Sequence, residues 1–163
     1  MTVKQVSFQI SPSVETTILK HLEKNNAGHL SIKLFRRRHK LHKKYKIYDD
    51  NPIGPLETYA IEKRSGFRGR YRPLRQLITL RFGEESFPSI EQKDQHGNQI
   101  PAFLNRDEEV LWLFYHEFCH HLQFEAMADK RQLSKSRFSE KEANIYADQH
   151  LALYRNGELK KED

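Results

Sequence analysis

Apolar and polar positions alternate through residues 2–10, with Val6, Phe8 and Ile10 on one face after Val3, and predict a strand. Ser11-Pro12-Ser13 then offers a helix start, with Ser11 as N-cap and Pro12 at the first helical position. Val14, Ile18, Leu19 and Leu22 form an apolar stripe that predicts a helix to about Glu23. Asn25-Asn26-Ala27-Gly28 closes it with residues that tolerate left-handed backbone. Leu30, Ile32 and Leu34 share a face and predict a short strand over 30–35. Residues 36–54 fit no single element, and Asn51-Pro52 and Gly54-Pro55 interrupt them. Residues 57–62 predict a strand leading to a basic, Gly-containing turn at 65–69. Residues 75–82, RQLITLRF, give the clearest strand, in which Leu77, Thr79 and Arg81 alternate with Ile78, Leu80 and Phe82. His96-Gly97-Asn98 predicts a turn.

The second half changes period. Asn105 caps a helix whose first turn holds Asp107, Glu108 and Glu109, and which runs through an almost unbroken apolar stretch to about Ala128. After a polar link over 129–138, Ser139 caps a last helix, with Glu142 at the third helical position completing a capping box. Ala143, Tyr146, Ala147, His150, Leu151 and Tyr154 give it a 3.6-residue stripe, and the charged tail from Asn156 is expected to fray.

Composition narrows the setting. A chain of 163 residues with 37% apolar and 31% charged positions predicts one domain, 1–163, with a modest core and a strongly charged surface. It divides into a helix-and-strand part with the basic region, 1–74, and a part holding a strand and the two last helices, 75–155. No stretch has the length of a membrane span, and no apolar run follows a basic start. The single cysteine, Cys119, fits a reducing compartment, so a cytoplasmic monomer without membrane contact is expected. The net charge of +6 is uneven: over 31–76, fourteen Lys or Arg stand against four Asp or Glu. Such a run is either a solvated face or a surface for phosphate backbones. Phe67 and Tyr71 among Arg68, Arg70 and Arg72 suit single-stranded nucleic acid.

The chemistry lies in residues 111–124, LWLFYHEFCHHLQF, which contain His116-Glu117-Phe118-Cys119-His120. On a helix, two histidines four apart project from one face with Cβ atoms within roughly 6 Å, close enough to share one Zn²⁺. Glu117 then stands beside the ion as a general base for an activated water. Without an ion, Glu117 would be a charge hidden in an apolar helix at substantial cost. A catalytic zinc takes three protein ligands and leaves one position open. His121 is rotated about 100° from His120 and cannot easily reach the same ion. Glu125 points away, which leaves Glu140, Glu142 and His150. Glu142 lies beside the apolar face of the last helix, and the choice among the three stays open here. Tyr146, His150, His121 and Tyr115 are available as donors to an oxyanion, and Cys119 is expected to be a small core residue.

HEFCH followed by EKEANIYAD resembles the gluzincin metallopeptidases. More narrowly, it resembles the minimal gluzincins and the ImmA/IrrE-type peptidases, in which a similar E-A-N-x-x-A helix supplies a glutamate ligand. The resemblance covers about residues 77–151 and rests on the two helices. It implies His116, His120 and Glu142 as zinc ligands and Glu117 as general base. It departs from larger gluzincins four positions after Glu142, where an acid that orients a histidine is replaced by Tyr146. Asn144 and Asp148 are the substitutes for that acid, and Glu140 stays open as the alternative ligand. HEFCHH is also similar to SprT-like peptidases, which act near DNA, but their third histidine has no counterpart here.

The resemblance implies a zincin-like α+β fold: an N-terminal helix, a twisted mixed sheet, the HEFCH helix and the glutamate helix. It also implies that the strand over 75–82 lies at a sheet edge and binds substrate as an added strand. The expected activity is zinc-dependent hydrolysis of peptide bonds in a protein or peptide substrate. The alternative is a zinc-containing module, or a DNA-associated peptidase, that engages nucleic acid through 31–76.

Overall fold

A computed structural model describes residues 3–5, 10–36, 38–41, 46–49, 58–60, 69–82, 86–93, 97–129 and 138–157. In it the N-terminal pattern becomes β1 (Val3–Gln5), α1 (Pro12–Lys24) and β2 (Ser31–Arg36). β1 and β2 are parallel, Val3 opposite Ile32, and α1 is the crossover that parallel neighbours require. Ser11 caps α1 by accepting from the Val14 N–H, and Asn26 ends it at a φ of 54°.

In the basic middle region β3 (Arg38–Leu41), β4 (Lys46–Asp49) and β5 (Thr58–Ala60) form a three-stranded antiparallel sheet. The expected strand over 57–62 is realised in β5. Residues 61–68, with the basic turn and Phe67, lie outside the described residues, as do residues 6–9 of the first strand, 130–137 of the interhelical link and the tail from 158.

Next come β6 (Gly69–Arg72), a 3-10 turn (Pro73–Arg75) and β7 (Leu77–Phe82). Gln76 takes a left-handed φ of 49°, so the strand predicted from Arg75 begins two residues later. The main sheet runs β1-β2-β7-β6, with β7 parallel to β2 and antiparallel to β6. The expectation that the strand over 75–82 is an edge is therefore corrected. β7 is interior, and the consecutive burial of Ile78, Thr79 and Leu80 marks a strand covered on both faces. Among the described residues the edges are β1 and β6, and β6 is the one beside β7. β8 (Gln92–Lys93) and β9 (Gln99–Ile100) pair across the predicted turn, where Gly97 has a φ of 79°.

α2 (Arg106–Asp129) and α3 (Glu140–Arg155) complete an α+β architecture with, among the described residues, three α-helices, a four-stranded mixed sheet and two smaller antiparallel sheets. Asn105 Oδ1 caps α2 by accepting from the Glu108 N–H at 3.0 Å, and Ser139 caps α3 by accepting from the Glu142 N–H. No described helix is long and apolar enough to cross a membrane. Ile32, Leu34, Ile78, Leu80 and Phe82 of the sheet meet Val14, Ile18 and Leu22 of α1, and Val110, Leu111, Phe114 and Phe118 of α2, in one core. α2 is buried without a break from Glu108 to His121. A helix buried on all sides must be apolar all round or must pair its polar groups. Glu108 pairs with Arg155 of α3 at 2.7 and 3.1 Å.

A second buried polar group, His21, sits in an aromatic cage of Phe114, Tyr115, Phe118, Tyr146 and His150, and its Nε2 lies 2.7 Å from the Tyr146 hydroxyl. Burial, with lesser repulsion from His150 and Lys24, pulls its pKa from 6.5 down to about 3. The unfolded chain therefore takes up a proton that the folded chain refuses, and stability falls as pH drops through and below the unfolded value. The slope reaches at most about 1.4 kcal/mol per pH unit. Chemical denaturation of His21→Gln at neutral and mildly acidic pH is expected to show a shallower acid loss than wild type; equal slopes would contradict the assignment.

Candidate metal centre

The i,i+4 spacing of His116 and His120 places both imidazoles on the side of α2 that packs against α3. The two helices run antiparallel in a fixed register. Trp112 Nε1 donates to Asp148 Oδ1 at 2.8 Å at one end, and His120 Nε2 meets Glu140 Oε1 at 2.9 Å at the other. His116 lies one turn from each, with its Nε2 at 3.0 Å from the second Glu140 oxygen and its ring stacked on Trp112. One carboxylate thus holds a different oxygen against each Nε2.

The acid brought to the histidines is Glu140. Glu142, the first choice from sequence, is exposed, and its Oε2 accepts from Gln123 Nε2 at 3.1 Å. Two residues along a helix turn the side chain by about 200°, so only one of the two acids can face α2. Expected Glu142 is thereby corrected to Glu140 as the carboxylate beside His116 and His120. His150, the other candidate, bonds the Tyr146 carbonyl at 2.8 Å.

Gln123 had no signal in the motif, yet it joins the parts. Its Oε1 accepts from His120 Nδ1 at 2.8 Å and from the Ser139 N–H at 3.3 Å, while its Nε2 donates to the Ser139 carbonyl at 3.2 Å. It performs the reciprocal half of the capping box expected of Glu142. By accepting the hydrogen bond from Nδ1–H, it leaves Nε2 of His120 to face Glu140, the orientation a metal-binding imidazole requires.

Glu117 is buried and turns to the other partner of α2, strand β6, where its carboxylate accepts from the Tyr71 backbone N–H. Gly69 packs directly on it: a Cβ there would stand 2.9 Å from Glu117 Oε1 and 3.0 Å from its Cγ. The nearer Glu117 oxygen lies 4.0 Å from His116 Nε2, so Glu117 and the two histidines share one wall. Burial raises the Glu117 carboxyl pKa against the pull of His116, His120 and the Tyr71 N–H. Glu140 is held well below the usual carboxylate range, chiefly by hydrogen bonds from His116 and His120. Burial lowers His120, but Glu140, Glu117 and Gln123 outweigh it and the net shift is upward.

His116, His120 and Glu140 could hold a metal ion, since one ligand atom of each lies within 4.8 Å of the others. The donor chemistry fits: two neutral imidazoles and one carboxylate form a three-ligand set that suits Zn²⁺ among other divalent ions. The fit extends to two buried orphans, His116 Nδ1 and Asn144 Oδ1, which have no hydrogen-bond partner among the described residues. Asn144 is one turn from both Glu140 and Asp148, so the register sets it opposite His116.

The remaining sequence candidates lie elsewhere. Tyr115, Tyr146 and His150 pack around His21, and His121 faces Tyr71. Cys119 is a free, buried thiol whose pKa burial pushes up to about 11. Of the basic region, β6 exposes Arg70, and Arg72 feels the like charges of Arg70, Arg75 and Arg81. The chain matches no protein-family model, no curated protein and no solved structure.

Zinc content after equilibrium dialysis separates the two acids. Glu140→Gln is expected to abolish retention at this site, Glu142→Gln to leave it unchanged, and Gln123→Ala to weaken affinity about 10–100-fold. Loss on Glu142→Gln with retention on Glu140→Gln would reverse the assignment.

Proposed function

We propose that the protein is a zinc-dependent peptidase of the zincin type, with His116, His120 and Glu140 as ligands and Glu117 as general base. The observation that carries the reading is the Glu140 carboxylate set between the two Nε2 atoms, with the buried Glu117 carboxylate on the same wall. The side chains of His116 and His120 are 10% and 9% exposed while that of Glu140 is 45% exposed, so the set opens on one side. An open three-ligand set is the pattern of a catalytic rather than a structural zinc.

A zinc ion held there would supply Lewis acidity to a scissile carbonyl and to water. Glu117, held by the Tyr71 N–H, accepts the proton of the attacking water and returns it to the leaving amine. Gln123 orients His120; Asn144, four residues past Glu140, would orient His116 if its unpartnered Oδ1 closed on the unpartnered Nδ1–H. That offset is where the gluzincin resemblance calls for an orienting acid, and it supports Glu140 over Glu142. β6 takes the role expected of 75–82: its outer edge runs past Glu117 and can receive an extended peptide as an added strand.

Hydrolysis of unfolded casein, with and without a chelator, tests the proposal. Glu117→Gln should retain metal and lose about 10²–10⁴-fold in rate. Gly69→Ala, whose methyl displaces the Glu117 carboxylate, should retain metal and lose roughly 10–100-fold. Chelator-insensitive hydrolysis, or full activity in Glu117→Gln, would refute the mechanism.

A further inference from the structure

A second set of ligand-type side chains stands on the next face of α2. His121 follows His120 and is therefore turned about 100° around the helix, away from Glu140. It faces three groups. Glu125, one turn on, presents Oε1 to His121 Nε2 in close contact. His29, in the turn between α1 and β2, has its ring centroid 5.5 Å from that of His121. Tyr71 of β6 places its hydroxyl 2.9 Å from His121 Nδ1. One ligand atom each of His29, His121 and Glu125 lies within 4.8 Å of the others.

A simple His121–Glu125 ion pair does not account for the geometry. His121 is only 3% exposed, and its Nε2 touches the Glu125 carboxylate without forming a well-shaped hydrogen bond to any described residue. A buried imidazole nitrogen without a hydrogen bond is costly. A cation between Nε2, the carboxylate and His29 would satisfy it. The Tyr71 hydroxyl suits either tautomer; where it accepts from Nδ1–H, the Nε2 lone pair is free for a cation. Gln123 does the same for His120.

We propose that His29, His121 and Glu125 form a second site for a divalent transition-metal ion, distinct from the His116, His120 and Glu140 set. Two imidazoles and a carboxylate select Zn²⁺, Co²⁺ or Ni²⁺ over Mg²⁺ or Ca²⁺. The site would clamp the α1–β2 turn onto α2 and, through Tyr71, onto β6. That strand's backbone N–H holds Glu117, so occupancy stiffens the wall of the first site without sharing a ligand with it.

The test is stoichiometry with Co²⁺ or Zn²⁺ alone, by equilibrium dialysis and metal analysis of the full chain. Wild type should bind about two equivalents. His29→Ala and Glu125→Gln, both at exposed positions, should each bind about one, as should Glu140→Gln, and His29→Ala with Glu140→Gln about none. Far-UV circular dichroism should remain that of wild type in each. Binding that is undiminished, whether one equivalent or two, in both His29→Ala and Glu125→Gln would overturn the second site. Failure of Glu140→Gln alone to remove an equivalent would instead overturn the first site and leave this one standing.

Discussion

The constraint on which the structure depends is the burial of a helix that is not apolar. From Glu108 to His121 α2 has no exposed residue, yet it carries Glu108, Glu109, His116, Glu117, His120 and His121. An uncompensated buried charge costs several kcal/mol, which is of the order of a small domain's whole stability. Every neighbouring element is therefore positioned in part by what it offers α2. α3 supplies Arg155 to Glu108, Asp148 to Trp112 and Glu140 to the two histidines. β6 supplies a backbone N–H to Glu117 and a hydroxyl to His121. Polar satisfaction and site assembly are the same contacts.

That coupling explains which features the sequence disclosed. The helices and their caps follow from local rules: Ser11, Asn105 and Ser139 each bond a backbone N–H three residues on. HEFCH needed only the pitch of a helix. The third acid did not follow, because Glu140 and Glu142 differ by a rotation of α3 that only its register on α2 decides. The signal was present in a form that the apolar stripe obscured. Trp112, His116 and His120 repeat every four residues, and Glu140, Asn144 and Asp148 repeat likewise in the opposing helix. Two such rows, read antiparallel, pair 112 with 148 and 120 with 140. They also set Asn144 four past Glu140, whereas four past Glu142 the chain has Tyr146.

The sheet was legible in its apolar strands and not in its edge. Leu30 to Phe35 and Leu77 to Phe82 announce themselves by alternation, but GRYR in β6 offers the core only Tyr71 and is recognised by its partner. Gly69 reads in sequence as a turn residue, whereas its place in β6 reflects close approach: a side chain would collide with Glu117. His121 likewise read as a surplus histidine, because its partners His29 and Tyr71 come from distant segments.

The central claim is that His116, His120 and Glu140 surround one metal ion within reach of Glu117. An anomalous difference map from a zinc-soaked crystal, collected at the zinc edge, addresses it most directly. The account predicts a peak about 2 Å from both Nε2 atoms and from a Glu140 oxygen, with Glu142 remaining on Gln123. A map without that peak, or with Glu142 in place of Glu140, would contradict it.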